Sequence, residues 1–329
     1  MPDEKDTSKD PSRKRQRTVF EQRGLLAAFL GVFIVITAVS RVVRGDWVFV
    51  SSINLFNILL HTSMTAIAAV GCTMILVSGN VDLSIGRLVS MAGIASVYFA
   101  NISRSMVVGL IAAIAIGALV GAVNGFVVVR MKVNSLIATL GTMSILFGLV
   151  YILSQARSIP LKVPALNWLG TGYVGPVPFP AVVTFGMYFL AYFFMNRTIF
   201  GIYVYATGGS NEAAARSGIN IDRVKYTAFV LSGVTAALAG VILAGRLNSG
   251  QPRSASGFEL EVIAATILGG TSLSGGEGHL LGTIIGVLLV GVMSNGLIIM
   301  DVDPFWQHVV SGFILILAVY FDQRRKERV

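Results

Sequence analysis

Leu55–Asn101 reads LFNILLHTSMTAIAAVGCTMILVSGNVDLSIGRLVSMAGIASVYFAN. Its first stretch, Leu55–Ser78, holds no Lys, Arg, Asp or Glu. A helix needs about 20 such residues to cross the roughly 30 Å hydrocarbon core of a bilayer. Gly79–Leu83 then break the run with a glycine, an asparagine and Asp82, and a second apolar stretch starts at Ser84. Two long apolar runs around a short polar break predict membrane-spanning helices, with Asp82 the acidic residue nearest membrane depth.

The same texture continues outward. Ten apolar spans can be drawn, at about 25–43, 55–78, 84–101, 106–129, 135–153, 179–195, 225–245, 259–270, 280–299 and 304–321. The eighth is too short to cross a bilayer undistorted and is expected to be broken or re-entrant. Such a segment is tolerated where protein or a water-filled cavity covers its freed backbone. The expected fold class is therefore all-α: a polytopic membrane helical bundle of about ten transmembrane helices with interrupted segments. An eight-span version that treats 47–60 and 259–270 differently stays open.

Composition agrees. Of the 329 residues 54% are hydrophobic and 12% charged, with mean hydropathy +0.77, whereas soluble domains carry roughly 25% charged residues. The 36 glycines suit close helix packing in lipid. A net charge of +9 does not mark a nucleic-acid binder, because the basic residues flank apolar spans instead of forming one patch. With the N-terminus inside and ten spans, 18 of the 25 Lys and Arg fall on the cytoplasmic side, as the positive-inside rule asks; Arg87 is counted there, and Arg41 and Arg44 sit awkwardly outside. Both termini are then cytoplasmic. Residues 1–23 are expected to be a disordered cytoplasmic tail without a signal-peptide cleavage site, 24–323 the transmembrane domain, and 324–329 a basic cytoplasmic tail. Cys72 is the single cysteine and His61, His279 and His308 are scattered, so no metal or cofactor is expected on this chain.

Thr207–Asn220, TGGSNEAAARSGIN, lies in the cytoplasmic loop 198–224. Ser210 or Asn211 is placed to cap a short helix, with Glu212 in its first turn favoured by the helix dipole. Ala213, Ala214 and Ala215 are strong helix formers, Arg216 follows, and Gly218 suits the position just past the end. The product is a smooth surface helix: either a docking element for another protein or an ordinary connection. Leu273–Glu277, LSGGE, imitates the signature loop of ABC ATPases, but no GxxxxGK[ST] phosphate loop exists here. The chain therefore carries no ATP-hydrolysing site of its own. Gly269, Gly270, Gly275 and Gly276 are instead read as a Gly-rich turn.

Asn80, Asp82, Ser84, Asn124 and Asn295 are the candidate pathway or gate residues, because polar groups at membrane depth are functional by default. For Asp82 the alternative is a helix cap over the amides of the third span; for Asn124 and Asn295 it is interhelical hydrogen bonding. Glu259 and Glu261 are assigned to the outer mouth, either meeting a partner or lying in a solvated loop. Segment 71–94 faintly echoes 261–284, with Gly79 over Gly269, which is either an internal repeat or chance matching of Gly, Ser and Leu.

From about residue 24 onward the chain resembles the ribose-type family of ABC sugar permeases. The resemblance is carried by SINLFNIL (52–59), TAIAAVGCTMIL (65–76), GNVDLSIG (79–86), IATLGTM (137–143), GGSNEAAARSGIN (208–220) and AATILGGTSLSGGEG (264–278). It implies import of a monosaccharide or related polyol by ATP-driven alternating access, in a bacterial plasma membrane. It also implies a cytoplasmic ATPase, a periplasmic or lipid-anchored binding protein, and a second permease copy as homodimer or heterodimer. Glu212–Gly218 would be the coupling helix on the ATPase. The broader permease motif continues with Ile-x-Leu-Pro, whereas Ala228–Leu231 here lacks proline. Rival functions are an ion-driven secondary transporter, an ABC permease for amino acids or nucleosides, and a membrane scaffold.

Overall fold

The computed structural model describes residues 11–326. Helices run in the order α1 (Pro11–Arg44), α2 (Ser52–Val77), α3 (Ile85–Ser103), α4 (Met106–Val129), α5 (Ser135–Ser154), α6 (Pro164–Thr171), α7 (Phe179–Arg197), α8 (Ile199–Gly209), α9 (Asn211–Arg216), α10 (Ile221–Arg246), α11 (Phe258–Leu268), α12 (Leu280–Ile299) and α13 (Pro304–Lys326). Two tiny antiparallel ladders add β1 (Ile159–Pro160) to β4 (Ser249–Gly250) and β2 (Tyr173–Val174) to β3 (Val177–Pro178). Among the described residues eight helices are long and apolar enough to cross a membrane: α1 from Gly24, then α2, α3, α4, α5, α7, α10 and α12. α13 adds a helix of 23 residues. α11 has only 11, about 16 Å at 1.5 Å per residue, so it is the expected short segment.

The backbone of 11–23 is helical and continuous with the first span, because residues 12–23 contain neither Gly nor Pro and are rich in long side chains of high helix propensity. Residues 1–10 and 327–329 lie outside the described residues.

The centre of the bundle is built on small residues. On α4, Gly109, Ala113, Gly117, Gly121 and Gly125 recur every four positions and face inward. A Cβ on Gly117 would fall onto the Gly233 carbonyl of α10, and one on Gly121 would lie 2.8 Å from the Val230 Cα. Likewise, a Cβ on Gly93 of α3 would sit 3.0 Å from the Gly240 oxygen. Such contacts let helix backbones approach closely, which in lipid replaces the missing hydrophobic drive for association. α2 is the most enclosed span, buried almost continuously from Thr62 to Val77. The large apolar side chains of α5 and α7, including Ile145, Ile152, Phe189 and Leu190, point outward, as lipid-facing residues must.

The loops between α2 and α3 and between α11 and α12 lie at the same end of the bundle as α9. A Cβ on Gly79 would be 3.8 Å from Gly208 Cα, and one on Gly276 would be 2.7 Å from Gly209 Cα. The opposite end carries β1, β4 and α6.

Candidate functional site

α9 forms as its residues dictate. The Ser210 hydroxyl accepts the Ala213 amide at 3.2 Å, so Ser210 and not Asn211 is the cap. The helix closes on Gly218, whose φ is +80°, with Gly218 N–H donating to Ala215 and Ile219 N–H to Ala214. That is the double bond pattern of a Schellman closure. Ala214 is buried against the bundle, while Glu212, Ala213, Ala215, Arg216 and Gly218 are exposed. Glu212 and Arg216 pair at 2.6 Å on the outer face, a contact worth only a few tenths of a kcal/mol, about 0.5 at most. A Cβ on Gly218 would meet nothing within 4 Å. α9 thus presents a smooth, open ridge.

Behind this ridge three glycine-bearing turns press backbone against backbone. The Gly276 amide donates to the Val77 carbonyl at 2.9 Å. Gly208, at the end of α8, lies over the same carbonyl, and a Cβ there would also come within 2.5 Å of Gly276 N. A Cβ on Gly275 would be 2.8 Å from Gly79 Cα. The Tyr205 hydroxyl donates to the Gly278 carbonyl at 2.7 Å. Asp322 of α13 accepts from Ser272 Oγ at 3.1 Å and from Leu273 N at 3.3 Å. The loop carrying α9 is therefore in direct contact with both helix joints.

The joints stop their helices in the same way as α9. α2 ends at Gly79 (φ +78°), with Gly79 N to Leu76 O and Asn80 N to Ile75 O; α11 ends at Gly270 (φ +87°), with Gly270 N to Ile267 O and Thr271 N to Thr266 O. Gly79 is thus equivalent to Gly270. The sequence echo, which sets it over Gly269, is out of step by one residue. Gly269 does something else: a Cβ there would be 2.6 Å from both Gly282 O and Thr283 Cα of α12.

From Gly79 the chain turns back along α2 as an extended strip before α3 begins. Its backbone donors find side chains. Val81 N donates to Ser135 Oγ at 3.2 Å, Leu83 N to Thr139 Oγ1 at 3.1 Å and Ser84 N to Asp82 Oδ1 at 2.9 Å. Ser135, Thr139 and Thr142 share one face of α5, spaced i, i+4, i+7. Thr142 Oγ1 donates to Asn124 Oδ1 at 2.6 Å, Asn124 Nδ2 to Ser84 Oγ at 2.9 Å, and Ser84 Oγ to Asp82 Oδ1 at 2.6 Å. Ser232 of α10 donates to Asp82 Oδ2 at 3.3 Å. Irregular backbone at membrane depth survives only where protein satisfies it, and this network does so.

Asp82, Ser84 and Asn124 therefore come together. Ser84 takes the cap position of α3, and Asp82 binds the amide of Ser84 instead of those of the first turn. Asn80 stands apart, donating to the carbonyl and hydroxyl of Ser78. Asn295 is also elsewhere, locked to Asn54 by two reciprocal amide bonds of 2.9 and 3.0 Å. Asp82→Asn keeps the oxygen facing Ser84 and is expected to leave folding intact, as read by monodisperse purification. Asp82→Leu leaves Ser84 N–H and Ser232 Oγ buried without partners and is expected to cost about 2–4 kcal/mol, lowering the thermal midpoint in detergent.

The first turns of α3 and α11 meet in the bundle interior. A Cβ on Gly86 would be 2.9 Å from Ala255 O and 3.1 Å from Glu259 N, and would run into Glu259 Oε2. Glu259 is buried, and that oxygen has no hydrogen-bond partner among the described residues. Arg87 follows Gly86; its guanidinium sits 4.8 Å from the Phe147 ring centroid and reaches Ser256 Oγ at 3.4 Å. Phe147 is in the middle of α5 and faces outward, so Arg87 is half-buried at mid-helix depth beside α5 and not at the end of a span, where charge counting puts it. Glu259 and Glu261 are likewise not in a solvated loop. They occupy the first turn of α11, where carboxylates are favoured by the helix dipole.

Beside this junction lies a cavity, and of the candidate pathway residues named from the sequence Asn295 lines it. It measures about 300 Å³ and lies among α2, α10, α11 and α12. Its polar wall includes His61, Thr65, Arg246, Ser254, Glu261 and Ser294. Thr65 Oγ1 donates to Glu261 Oε1 at 3.0 Å, and the Arg246 guanidinium meets the His61 ring. Only the fold brings these together, since Thr65 and Glu261 are 196 positions apart in sequence.

Residues 54–319 match the family described as "Branched-chain amino acid transport system / permease component". Among curated proteins, the ribose import permease protein RbsC of Escherichia coli (strain K12) is 36% identical over 312 residues, covering 94% of this chain and 95% of the relative. The L-arabinose transport system permease protein AraH of the same strain is 37% identical over 309 residues, covering 94% and 92%. The L-arabinose ABC transporter permease protein AraH of Azospirillum brasilense is 34% identical over 297 residues, covering 90% and 87%. No solved structure matches the chain.

Proposed function

This chain belongs to the family of branched-chain amino acid transport system / permease components, and from that premise we propose that its cargo is a monosaccharide, moved inward when a separate ATPase acts on α9. It is a transport component and not an enzyme, the membrane-spanning permease of an ABC importer. Such a permease works with an ATPase and a substrate-binding protein. The family description names amino acids, but the relatives that match along nearly the whole length carry ribose and arabinose in their names.

The observation that carries the mechanism is the contact of the α8–α9 loop with both joints. A pull on α9 moves Gly208, which rests on Val77 and Gly276. Those turns anchor α2 to α3 and α11 to α12. The inner end of the strip that leaves the first joint, at Gly86, meets the start of the helix that enters the second, at Glu259, so one movement shifts both interrupted segments together. Direction comes from the ATPase, since an effector shifts a conformational equilibrium only by its differential affinity for the two states.

The α9 end is assigned to the cytoplasm, because Arg130, Lys132, Arg197, Arg216, Arg223 and Lys225 lie at it or beside it in sequence. Both termini then also face the cytoplasm of the bacterial inner membrane. A second copy of this chain completes the translocator, with a heterodimer as the alternative outcome. ATP and Mg sit on the ATPase.

Affinity purification of the tagged chain from gently solubilised native membranes is expected to bring down an ABC ATPase and a sugar-binding protein. Gly218→Trp, which projects a large ring from the open end of α9, is expected to lose the ATPase while the protein still purifies as a folded species. Retention of the ATPase and of uptake in that variant overturns the docking role. Absence of any ATPase, even after crosslinking, moves an ion-driven transporter ahead.

A further inference from the structure

We infer that the 300 Å³ cavity is a binding site, inside the membrane domain, for one uncharged monosaccharide-sized polyol held between Glu261 and Arg246. The inference rests on the importer reading and says where in the chain the cargo stops.

Its size sits at the lower limit of ligand pockets, which run from about 300 to 1,000 Å³, and so admits one small molecule. Thr65, thirteen residues along the 26-residue α2, places its inner wall halfway down that helix. One guanidinium and one carboxylate face it, giving a wall that is polar without a dominant sign. Arg246, which also meets His61, brings guanidinium donors, and Glu261, which accepts from Thr65, brings a carboxylate. The hydroxyls of Thr62, Thr65 and Ser254, whose protons go to Ile58 O, Glu261 Oε1 and Gln251 O, present acceptor lone pairs, Ser294 adds a further hydroxyl, and Met64, Leu243, Phe258 and Ile298 supply apolar surface. A sugar ring presents the same mixture, with hydroxyls around its rim and C–H groups on its faces.

A branched-chain amino acid would use the two charges and lay its side chain on the apolar part of the wall. It brings its donors on one ammonium only, whereas a polyol brings a donor on every hydroxyl to the acceptor oxygens of Thr62, Thr65 and Ser254, whose own protons are already spent within the protein. The wall therefore favours the polyol. Glu261 also stands two residues from Glu259, at the point where α11 touches α3. A cargo bound to Glu261 holds the helix that the α9 movement shifts.

The test uses the full complex of this chain with its co-purified ATPase in proteoliposomes, together with uptake by cells. In a Cys72→Ser background, Ser294→Cys supplies one thiol in the cavity, and a membrane-impermeant methanethiosulfonate is the probe. D-ribose, L-arabinose, D-xylose and D-galactose are added singly, with L-leucine as the amino-acid comparison. Mixed-disulfide formation between the thiol and the probe, with release of methanesulfinate, is expected to be slowed by the sugar the cells import and not by leucine. Glu261→Gln, which keeps the volume and removes the charge, is expected to raise the KM for that sugar by about tenfold or more, with ATPase co-purification unchanged. If Glu261→Gln does not fold, the thiol protection decides alone. Uptake of a sugar by the wild type, with no protection by it and a wild-type KM in Glu261→Gln, overturns this site and leaves the importer reading standing. Protection and uptake of leucine but of no sugar overturns both.

Discussion

Gly208→Ala is expected to reduce ATP-driven uptake by at least about tenfold and to lower the thermal midpoint of the purified protein. One methyl group does this because of what lies against it. A Cβ at Gly208 would overlap the Val77 carbonyl oxygen and stand 2.5 Å from Gly276 N and 2.9 Å from Val77 C. All three are backbone atoms, and two of them form the 2.9 Å hydrogen bond that ties the α2–α3 joint to the α11–α12 joint. Neither side can rotate away. The joint must open, breaking that bond and leaving a buried amide exposed to no partner. Gly209→Ala is the control, since a Cβ there meets nothing within 4 Å. Uptake and a thermal scan of the two variants side by side separate a site-specific effect from a general one. Equal behaviour of the two would remove Gly208 from the coupling route.

Gly117→Leu is expected to abolish accumulation of folded protein. α4 and α10 touch through Gly117, Gly121 and Gly233, and an added Cβ at either Gly117 or Gly233 falls onto the carbonyl oxygen of the other. A leucine forces the two backbones apart along their length. Overpacking in a core costs on the order of 1–3 kcal/mol when neighbours can shift; here the neighbour is a helix backbone, and the whole central pair must separate. In lipid no hydrophobic gain offsets the lost packing. Size-exclusion profile and membrane yield read the outcome. Gly148→Leu on α5, where a Cβ meets nothing within 4 Å, is expected to behave as wild type in both measurements. A monodisperse Gly117→Leu protein of normal yield would mean that the α4–α10 contact is not central to folding.

The cavity was not legible in the sequence, because its wall, with Arg246, Glu261 and His61, is assembled from four helices. Arg246 reads in sequence as an ordinary charge past the end of a span, and Glu261 as part of an outer loop. One signal was available: Glu259 and Glu261 stand just after Gly257, where a helix start attracts carboxylates. The α5 side of the polar network was also legible, because Ser135, Thr139 and Thr142 repeat on one helical face, though nothing in the sequence named the strip they support.

By itself the sequence determined what depends on neighbours along the chain. Runs of apolar residues without charge fix where helices cross lipid, and all ten drawn segments correspond to helices in the structure. The Ser210–Asn211 pair and Gly218 fix the start and stop of α9 to within a residue, because capping is settled within a turn. The shortness of α11 is likewise a matter of counting. Tertiary structure alone decided which polar groups face one another. Asp82 with Ser232, Thr65 with Glu261, Asn54 with Asn295 and Gly208 with Gly276 are contacts between segments far apart in sequence. A helix's hydrophobic pattern reports that a face is buried but not what buries it. In a bundle where nearly every face is apolar, the partner is chosen by small residues and hydrogen bonds that act only once the helices are side by side.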